Sequence, residues 1–392
     1  MKKLKTLLLL AAFPLFTQQL FSADFGAIFT NDTRFNLNGS DCDKILKQKD
    51  SLTAYASVPL ASDGSLYFTM EGLIQYTYTG DFTNELSSDE LTADLTLFKI
   101  SKAGKFGSSS YVLSAGRFFY SEFSGLVFSQ TSDAVNFKIA NPSIEFSVFG
   151  SYTGLLNNKT VTMLDKSGNS FATDSTKDFY DFASPQIFAG ASLGAPYLFK
   201  NQTLIIEGFA LLESEGPGEK GEQESRFYAT AGLTGPLARS VFYSASTTFG
   251  FNKDGDLSNL SKANVKFYSS FHSSVITAGA VYASGESGSL KAFNAVTKNT
   301  ACISVSEPAY TSLIKGSLAY SLKPASDVSV SLGADVLFNC ADKTEYSGTQ
   351  GSLSLSYSPY SDVNLSLGAT SFFADDSSEN RTCITFKAVL SL

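Results

Sequence analysis

The single histidine of the chain, His272, limits the chemistry that this sequence can support. It stands beside Phe271 in a short turn, and a catalytic or metal-binding role would need a partner that the spacing does not offer. The sequence also lacks a phosphate-binding glycine loop, a zinc-ligand spacing and a basic stripe for nucleic acid. We therefore expect no enzymatic activity, no metal, no cofactor and no nucleic-acid partner.

Charged side chains at alternating positions within apolar runs are more informative. On a membrane-spanning strand, an Arg or Lys directed at lipid would cost about 2–4 kcal/mol, so we expect these charges to face water. The predicted pore-lining residues are Arg34, Glu71, Asp94, Arg117, Lys138, Glu145, Glu207, Arg226, Lys266, Lys315, Asp335 and Lys387. Arg117 shares its face with Leu113 and Ala115, and a bulge near Gly116 is expected to rotate it inward. Alternatively, opposite charges pair across the lumen and stiffen the wall, which is compatible with a pore.

The segments that carry these charges have a period of two. Leu353, Leu355 and Tyr357 alternate with serines, and Ile384 and Phe386 alternate with polar residues in the same way. Side chains of a strand point to opposite faces in turn, so such runs predict a sheet with one apolar and one polar side. Similar runs recur along the chain and predict about 18 strands, within a range of about 16–18. The predicted fold class is all-β, a single transmembrane antiparallel β-barrel formed by residues 24–392.

The connections between the predicted strands alternate between short and long. The long ones centre near residues 43, 84, 123, 167, 218, 255, 297, 344 and 376, and the longest lie near 153–182 and 284–309. Short turns on one rim and long loops on the other are typical of outer-membrane barrels, with the short turns in the periplasm and the long loops outside the cell. After the signal segment, no run of about 18 apolar residues offers a membrane helix.

The two ends of the chain indicate export. Residues 1–23 combine three early lysines, an apolar core at 7–16 and small residues at 22–23, which is typical of a cleaved signal peptide. We expect the rest to reach the outer membrane of a diderm bacterium and to be surrounded by its lipid. The final strand, 381–392, resembles the insertion signal of outer-membrane barrels, except that it ends on Leu392 rather than on an aromatic residue. It is expected to engage the barrel-assembly machinery.

The four cysteines, Cys42, Cys302, Cys340 and Cys383, all fall in or beside long outer loops. In a closed barrel the last outer loop lies next to the first. We therefore predict a Cys42–Cys383 bridge and a Cys302–Cys340 bridge, because an even number of cysteines in an exported chain favours pairing. Four free thiols on one rim are the alternative.

The long loop 153–182 is the predicted constriction, because it is long enough to fold into the bore. Its charged residues are Lys159, Asp165, Lys166, Asp174, Lys177, Asp178 and Asp181. The alternative is that this loop stands outside as an adhesive surface. Other outer loops are rich in Asp and Glu, and an acidic mouth raises the local cation concentration, which predicts a mild cation preference.

In general plan the sequence resembles outer-membrane porins. The stretch Ala115-Gly-Arg-Phe-Phe-Tyr120, followed by Gly125-Leu-Val-Phe-Ser-Gln130 and Asp133-Ala-Val135, resembles the eighteen-stranded alginate-export-type channels. That resemblance implies that Arg117 points into the lumen. The predicted function is passive diffusion of small hydrophilic solutes, with a homotrimer left open as the assembly. The alternative from another class is an adhesin or structural barrel with a blocked lumen.

Overall fold

A computed structural model describes residues 23–38, 43–165, 168, 170, 180–213, 225–286, 290–298 and 310–392. Residues 1–22 of the predicted signal peptide lie outside this part of the chain. The described residues form eighteen antiparallel strands that close into one barrel, so the predicted fold class is confirmed. The strands are β1 Asp24–Asn38, β2 Asp43–Pro59, β3 Leu66–Asp81, β4 Leu86–Phe106, β5 Ser109–Ser121, β6 Ser129–Ala140, β7 Glu145–Tyr152, β8 Gln186–Phe199, β9 Gln202–Glu213, β10 Arg226–Ala238, β11 Val241–Asn252, β12 Leu257–Tyr268, β13 Val275–Ala283, β14 Leu313–Ala325, β15 Val328–Asn339, β16 Glu345–Tyr360, β17 Val363–Ala374 and β18 Arg381–Ser391.

The barrel closes between its first and last strands. Phe29 of β1 pairs with Leu390 of β18 on one side and with Leu52 of β2 on the other. Leu52 pairs in turn with Ile74 of β3. All four of these apolar side chains are exposed on the outer surface. Closure removes the free edges that an open sheet would present, and the alternation places the intervening polar residues inside.

The connections on the two rims of the barrel differ in length as the sequence predicted, but several on the long-loop rim are shorter than expected. On the short-turn rim, β4 and β5 are joined by residues 107–108, and β16 and β17 by 361–362. On the long-loop rim, the connections near residues 84 and 255 have only four residues, 82–85 and 253–256. At these two connections the strands run further than predicted and take up much of the expected loop, whereas the two longest connections extend over 153–185 and 284–312. No helix within the described ranges is long and apolar enough to cross a membrane.

The inside of the barrel divides into two regions. On the inner face of β5–β13, toward the long-loop rim, side chains are buried beneath three connecting segments that fold inward; this region is called the packed half. On the inner face of β14–β18 and β1–β3, most side chains keep contact with solvent; this region is called the open half. The buried apolar core therefore lies inside the barrel and against one side of the wall.

Candidate channel lumen

The connection between β5 and β6, residues 122–128, crosses the inside of the barrel. The backbone N–H of Phe123 donates to Oε2 of Glu207 on β9 at 2.9 Å, and Nζ of Lys262 on β12 donates to the carbonyl of Ser124 at 2.8 Å. The ring of Phe123 lies against Gly232 of β10, where an added Cβ would be 2.3 Å from the ring. Three strands on the far wall thus hold this segment inside the barrel.

Glu122 gives the same segment its shape. Its Oε1 accepts hydrogen bonds from the backbone N–H of Leu126 at 2.8 Å and of Val127 at 3.0 Å, and from the hydroxyl of Ser124 at 2.6 Å. Gly125 adopts a left-handed backbone conformation, with φ +68°, at the tip of this turn. One carboxylate thus bonds to three residues of the turn that follows it. The segment therefore has a defined conformation of its own.

The predicted constriction loop does enter the barrel, through residues 159–165. Nζ of Lys159 pairs with Glu90 at 2.7 Å, and the N–H of Thr162 donates to the side-chain carbonyl of Gln130 on β6. Asp165 is buried at the inner end of the segment. Asp181 lies at the return of the loop, where its carbonyl accepts from the N–H of Asn158 at 2.7 Å. The other four predicted residues, Lys166, Asp174, Lys177 and Asp178, lie outside the described residues.

A third inward segment, residues 290–298, joins the other two. The N–H of Val296 donates to the carbonyl of Val127, and the carbonyl of Val296 accepts from the N–H of Leu164. Arg226 of β10 clamps both segments, with Nη1 donating to the carbonyl of Ala295 at 3.0 Å and Nη2 to that of Leu164 at 2.9 Å. The plug consists of these three segments, 122–128, 159–165 and 290–298.

Aromatic rings join the plug to the wall. Phe128 of the plug stacks on Phe188 of β8, with ring centroids 4.1 Å apart, and Phe188 lies beside Phe209 of β9 at 5.4 Å. Tyr120 stacks on Phe149 of β7 at 3.8 Å. Buried aromatic pairs contribute beyond their surface area. This cluster makes the packed half a hydrophobic core inside the barrel.

Arg117 lies in the wall, at the point where β4 and β5 separate. It pairs with Phe98 in the last cross-strand pair of β4 and β5, directly after Gly116, whose φ of +119° twists the strand. Its guanidinium donates two bonds to Asp133 on β6, at 3.0 and 2.9 Å. It also donates to the carbonyls of Leu95 and Leu155, at 3.2 and 2.8 Å. Arg117 therefore links β4, β6 and the connection after β7 through one guanidinium group.

Three of the predicted pore-lining residues differ from expectation. Arg117, Glu207 and Arg226 are buried, with 8%, 7% and 6% of their surface exposed. Glu207 and Arg226 hold inward segments, and Arg117 binds Asp133 and the carbonyls of Leu95 and Leu155. The sequence pattern placed them on or near the polar face but carried no information about the loops that would cover them. Asp94 shares this position, because it accepts from the hydroxyl of Thr160 at 2.6 Å.

The remaining predicted pore-lining charges lie on the inner face, and several are paired. Arg34 forms a two-bond contact with Asp32, at 3.1 and 3.0 Å. Lys315 pairs with Asp335 at 3.2 Å. Lys138 and Glu145 form an ion pair near the short-turn rim. Glu71 accepts a hydrogen bond from the hydroxyl of Thr96. Lys266 and Lys387 are exposed on the inner face.

The sequence interpretation missed Lys47 and Lys49, which face inward on β2 beside Arg34. Arg34 is directly opposite Lys47, and Asp32 is directly opposite Lys49. Their alternation with Leu46 and Gln48 was the available signal. Together with Arg34 they form a cationic group on the open half.

Neither cysteine in the described part of the chain is bonded to another. Cys340 and Cys383 are free thiols, and Cys340 donates to the carbonyl of Ala283 at 3.3 Å. Partial burial raises the pKa of the Cys340 thiol. Cys42 and Cys302 lie outside the described residues, so the two predicted bridges stay predictions. His272 lies in the turn between β12 and β13, beside Phe271, as predicted.

No family model matches the chain, and no curated protein matches its sequence. Solved structures of similar fold do exist. Pseudomonas aeruginosa OccK5 (OpdH) aligns with a TM-score of 0.62 at 10% identity, covering 94% of this chain and 98% of that one. OpdQ of the same organism aligns with a TM-score of 0.62 at 10% identity, covering 95% and 99%. OpdK, solved with vanillate, aligns with a TM-score of 0.55 at 9% identity, covering 94% and 98%. These matches support the porin-type barrel; the resemblance to alginate-export-type channels is not confirmed.

Proposed function

We propose that this protein is a channel for passive diffusion of small hydrophilic solutes across the outer membrane of a diderm bacterium. The observation that carries the proposal is the divided interior, in which a packed half narrows the bore and an open half remains hydrated. Barrels of 16–18 strands are wide enough for an aqueous channel unless something fills them. Here the plug covers one side of the wall.

The outer surface supports a membrane location. Large apolar side chains such as Phe29, Ile74, Leu353 and Leu367 are exposed all round the barrel. A soluble protein rarely exposes so continuous an apolar surface, whereas a membrane barrel needs one about 25 Å tall. Export through the signal peptide at residues 1–23, insertion through strand 381–392 and assembly as a homotrimer belong to the same proposal.

Ion selectivity depends on two opposed features. Asp89 and Glu85 lie exposed on the long-loop rim, and the chain has a net charge of -8, which favours cations at the mouth. Deeper in the open half, Arg34, Lys47 and Lys49 would attract anions. We propose a mild cation preference, because an ion that enters from the long-loop rim meets the acidic residues before the inward cations.

An anion-selective channel is the second candidate, and the inward cations Arg34, Lys47 and Lys49 are the observation that favours it. OpdK was solved with vanillate, a small carboxylate, which agrees with such a passage. Reversal potentials measured across a salt gradient separate the two candidates. A potential that favours chloride would reject cation preference and support the anion-selective channel.

Single-channel recording in planar lipid bilayers tests the channel itself. The refolded wild type is expected to give stable current steps, and replacement of residues 122–128 by a short glycine linker is expected to increase them. A variant in which the exposed turn 61–64 is replaced in the same way serves as the control, because that turn lies on the short-turn rim away from the plug. Silence from both the wild type and the linker variant would overturn the channel and favour the adhesin or structural barrel.

A further inference from the structure

The inner face of β14–β17 carries hydroxyl groups arranged in rows across the strands. Ser321 is directly opposite Ser331, and Ser331 is directly opposite Ser354. In the row closer to the short-turn rim, Ser356 is opposite Ser366. Neighbouring strands lie about 4.8 Å apart, so the hydroxyls within a row are close enough for one small molecule to contact two of them.

Four of the hydroxyls on this wall are available to a ligand. Ser331, Ser352, Ser354 and Ser366 form no side-chain hydrogen bond with the rest of the described chain. Ser352 and Ser354 are exposed, and the hydroxyl of Ser352 lies over Gly333, where an added Cβ would be 2.6 Å away. Glycine at position 333 thus leaves room for the hydroxyl on the inner surface.

The charge on this wall is neutralised locally. Lys315 and Asp335 bond to each other at 3.2 Å, and the amide of Gln350 donates to the same carboxylate at 3.2 Å. The cations Arg34, Lys47 and Lys49 lie on β1 and β2 instead, where Asp32 pairs with Arg34 and the two lysines leave a surplus of positive charge. A carboxylate solute would therefore be attracted to the wall formed by β1 and β2, whereas the wall of β14–β17 offers hydrogen bonds without net charge.

We infer that the wall of β14–β17 conducts neutral polyhydroxylated solutes, the chemical class of sugars and polyols. This inference rests on the proposed channel function and deepens it. A serine hydroxyl is both donor and acceptor and can rotate, so it accommodates solute hydroxyls in many orientations. Each such contact is weak, and passage through a channel requires binding that is favourable enough to enter and weak enough to leave.

Proteoliposome swelling with glucose, combined with bilayer conductance in potassium chloride, tests this inference. The quadruple variant Ser331→Ala, Ser352→Ala, Ser354→Ala and Ser366→Ala removes the hydroxyls with little change in side-chain volume. We expect its glucose rate to fall at least about threefold, the effect of weakening one hydrogen bond per contact, while conductance stays nearly unchanged. The matched variant with threonine at the same four positions keeps the hydroxyls and is expected to keep more of the glucose rate.

Three sets of results would overturn the inference. A glucose rate that is unchanged in the alanine variant, or that falls only in proportion to conductance, would overturn the inference and leave the channel standing. An equal loss in the threonine variant would also overturn it, because the loss would then come from altered packing. Absence of both swelling and conductance in the wild type would overturn the channel function together with the inference. Heat-dependent gel mobility confirms that each variant is folded.

Discussion

The packed half and the open half are built on strands of the same kind but bury their inner faces in different ways. On β7, Phe149 is 1% exposed beneath the plug, whereas Ser354 on β16, also directed inward, is exposed to solvent. The packed half is a protein core in which apolar contacts and buried hydrogen bonds hold the wall to the plug. The open half is a water-facing surface. Substitutions of similar size should therefore have different consequences on the two sides.

Phe188→Ala should give the largest loss of stability. The ring of Phe188 is fully buried and stacks on Phe128, so its removal leaves a cavity that the closed barrel wall cannot fill by collapsing. We expect the free energy of unfolding to fall by about 4 kcal/mol, measured by urea titration in liposomes.

The comparison variant in the open half is Val389→Ala, a smaller truncation at an inward and half-buried position on β18. It should lower the free energy of unfolding by less than about 1 kcal/mol. Equal losses from the two variants would mean that the two halves do not differ in packing.

Arg117→Met should have the next largest effect. It removes two bonds to Asp133 and the donor to the carbonyl of Leu95, whereas the carbonyl of Leu155 keeps the hydroxyl of Tyr180 as a donor. Breaking a buried ion pair by removing one partner leaves an uncompensated charge, so we expect a loss of about 3 kcal/mol in the same titration.

Arg34→Met provides the comparison, because Arg34 and Asp32 form a similar two-bond pair in the open half, where the arginine side chain is 41% exposed. An exposed pair contributes at most about 1 kcal/mol. A loss of unfolding free energy in Arg34→Met as large as that in Arg117→Met would contradict the division into a packed half and an open half.

The comparison also shows how far the sequence could predict the molecule. Period-two alternation identified eighteen strands, since each strand has one face toward the outer surface. The predicted end of β4 was too early. Ser-Lys-Ala-Gly at 101–104 has the composition of a turn, but Gly104 pairs with Tyr111 in the sheet. Strand ends depend on the partner strand, which local composition does not describe.

The plug was the part that sequence could predict least. The loop 153–182 was expected to enter the bore because of its length, and residues 159–165 do so. The segment 122–128 was not expected, because Glu207, Gly232 and Lys262, which hold it, are distant in sequence. One local signal existed: Leu126, Val127 and Phe128 are three consecutive apolar residues in a loop, which would be unfavourable if exposed.

Gly232→Ala should have an intermediate effect, because it tests whether the plug needs its contact with the wall. The new methyl group would overlap the ring of Phe123, which must move. Overpacking of this kind costs about 2 kcal/mol, and we expect the displaced segment to give noisier and larger single-channel currents.

Gly368→Ala is the corresponding change in the open half. An added Cβ there would meet only ordinary contacts, the nearest at 3.8 Å. Because alanine loses less backbone entropy on folding than glycine, this variant should be neutral or slightly more stable, by up to about 0.5–1 kcal/mol. Unchanged currents in Gly232→Ala would show that Phe123 does not hold the plug in place.

Tyr228→Phe should produce the smallest loss of stability, and it tests one segment of the plug alone. Its hydroxyl donates to the carbonyl of Asn294 at 2.6 Å, so the variant deletes one hydrogen bond to the segment 290–298 and keeps the ring against Phe293. One such bond contributes about 1 kcal/mol.

Thr370→Val is the control. It removes one inward hydroxyl from the open half, where this hydroxyl forms no side-chain bond within the described chain. If the segment 290–298 is a working part of the constriction, current noise should increase in Tyr228→Phe and stay at the wild-type level in Thr370→Val. Equal noise in both variants would contradict the expectation and would mean that the bonds from Arg226 hold the segment 290–298 without the hydroxyl of Tyr228.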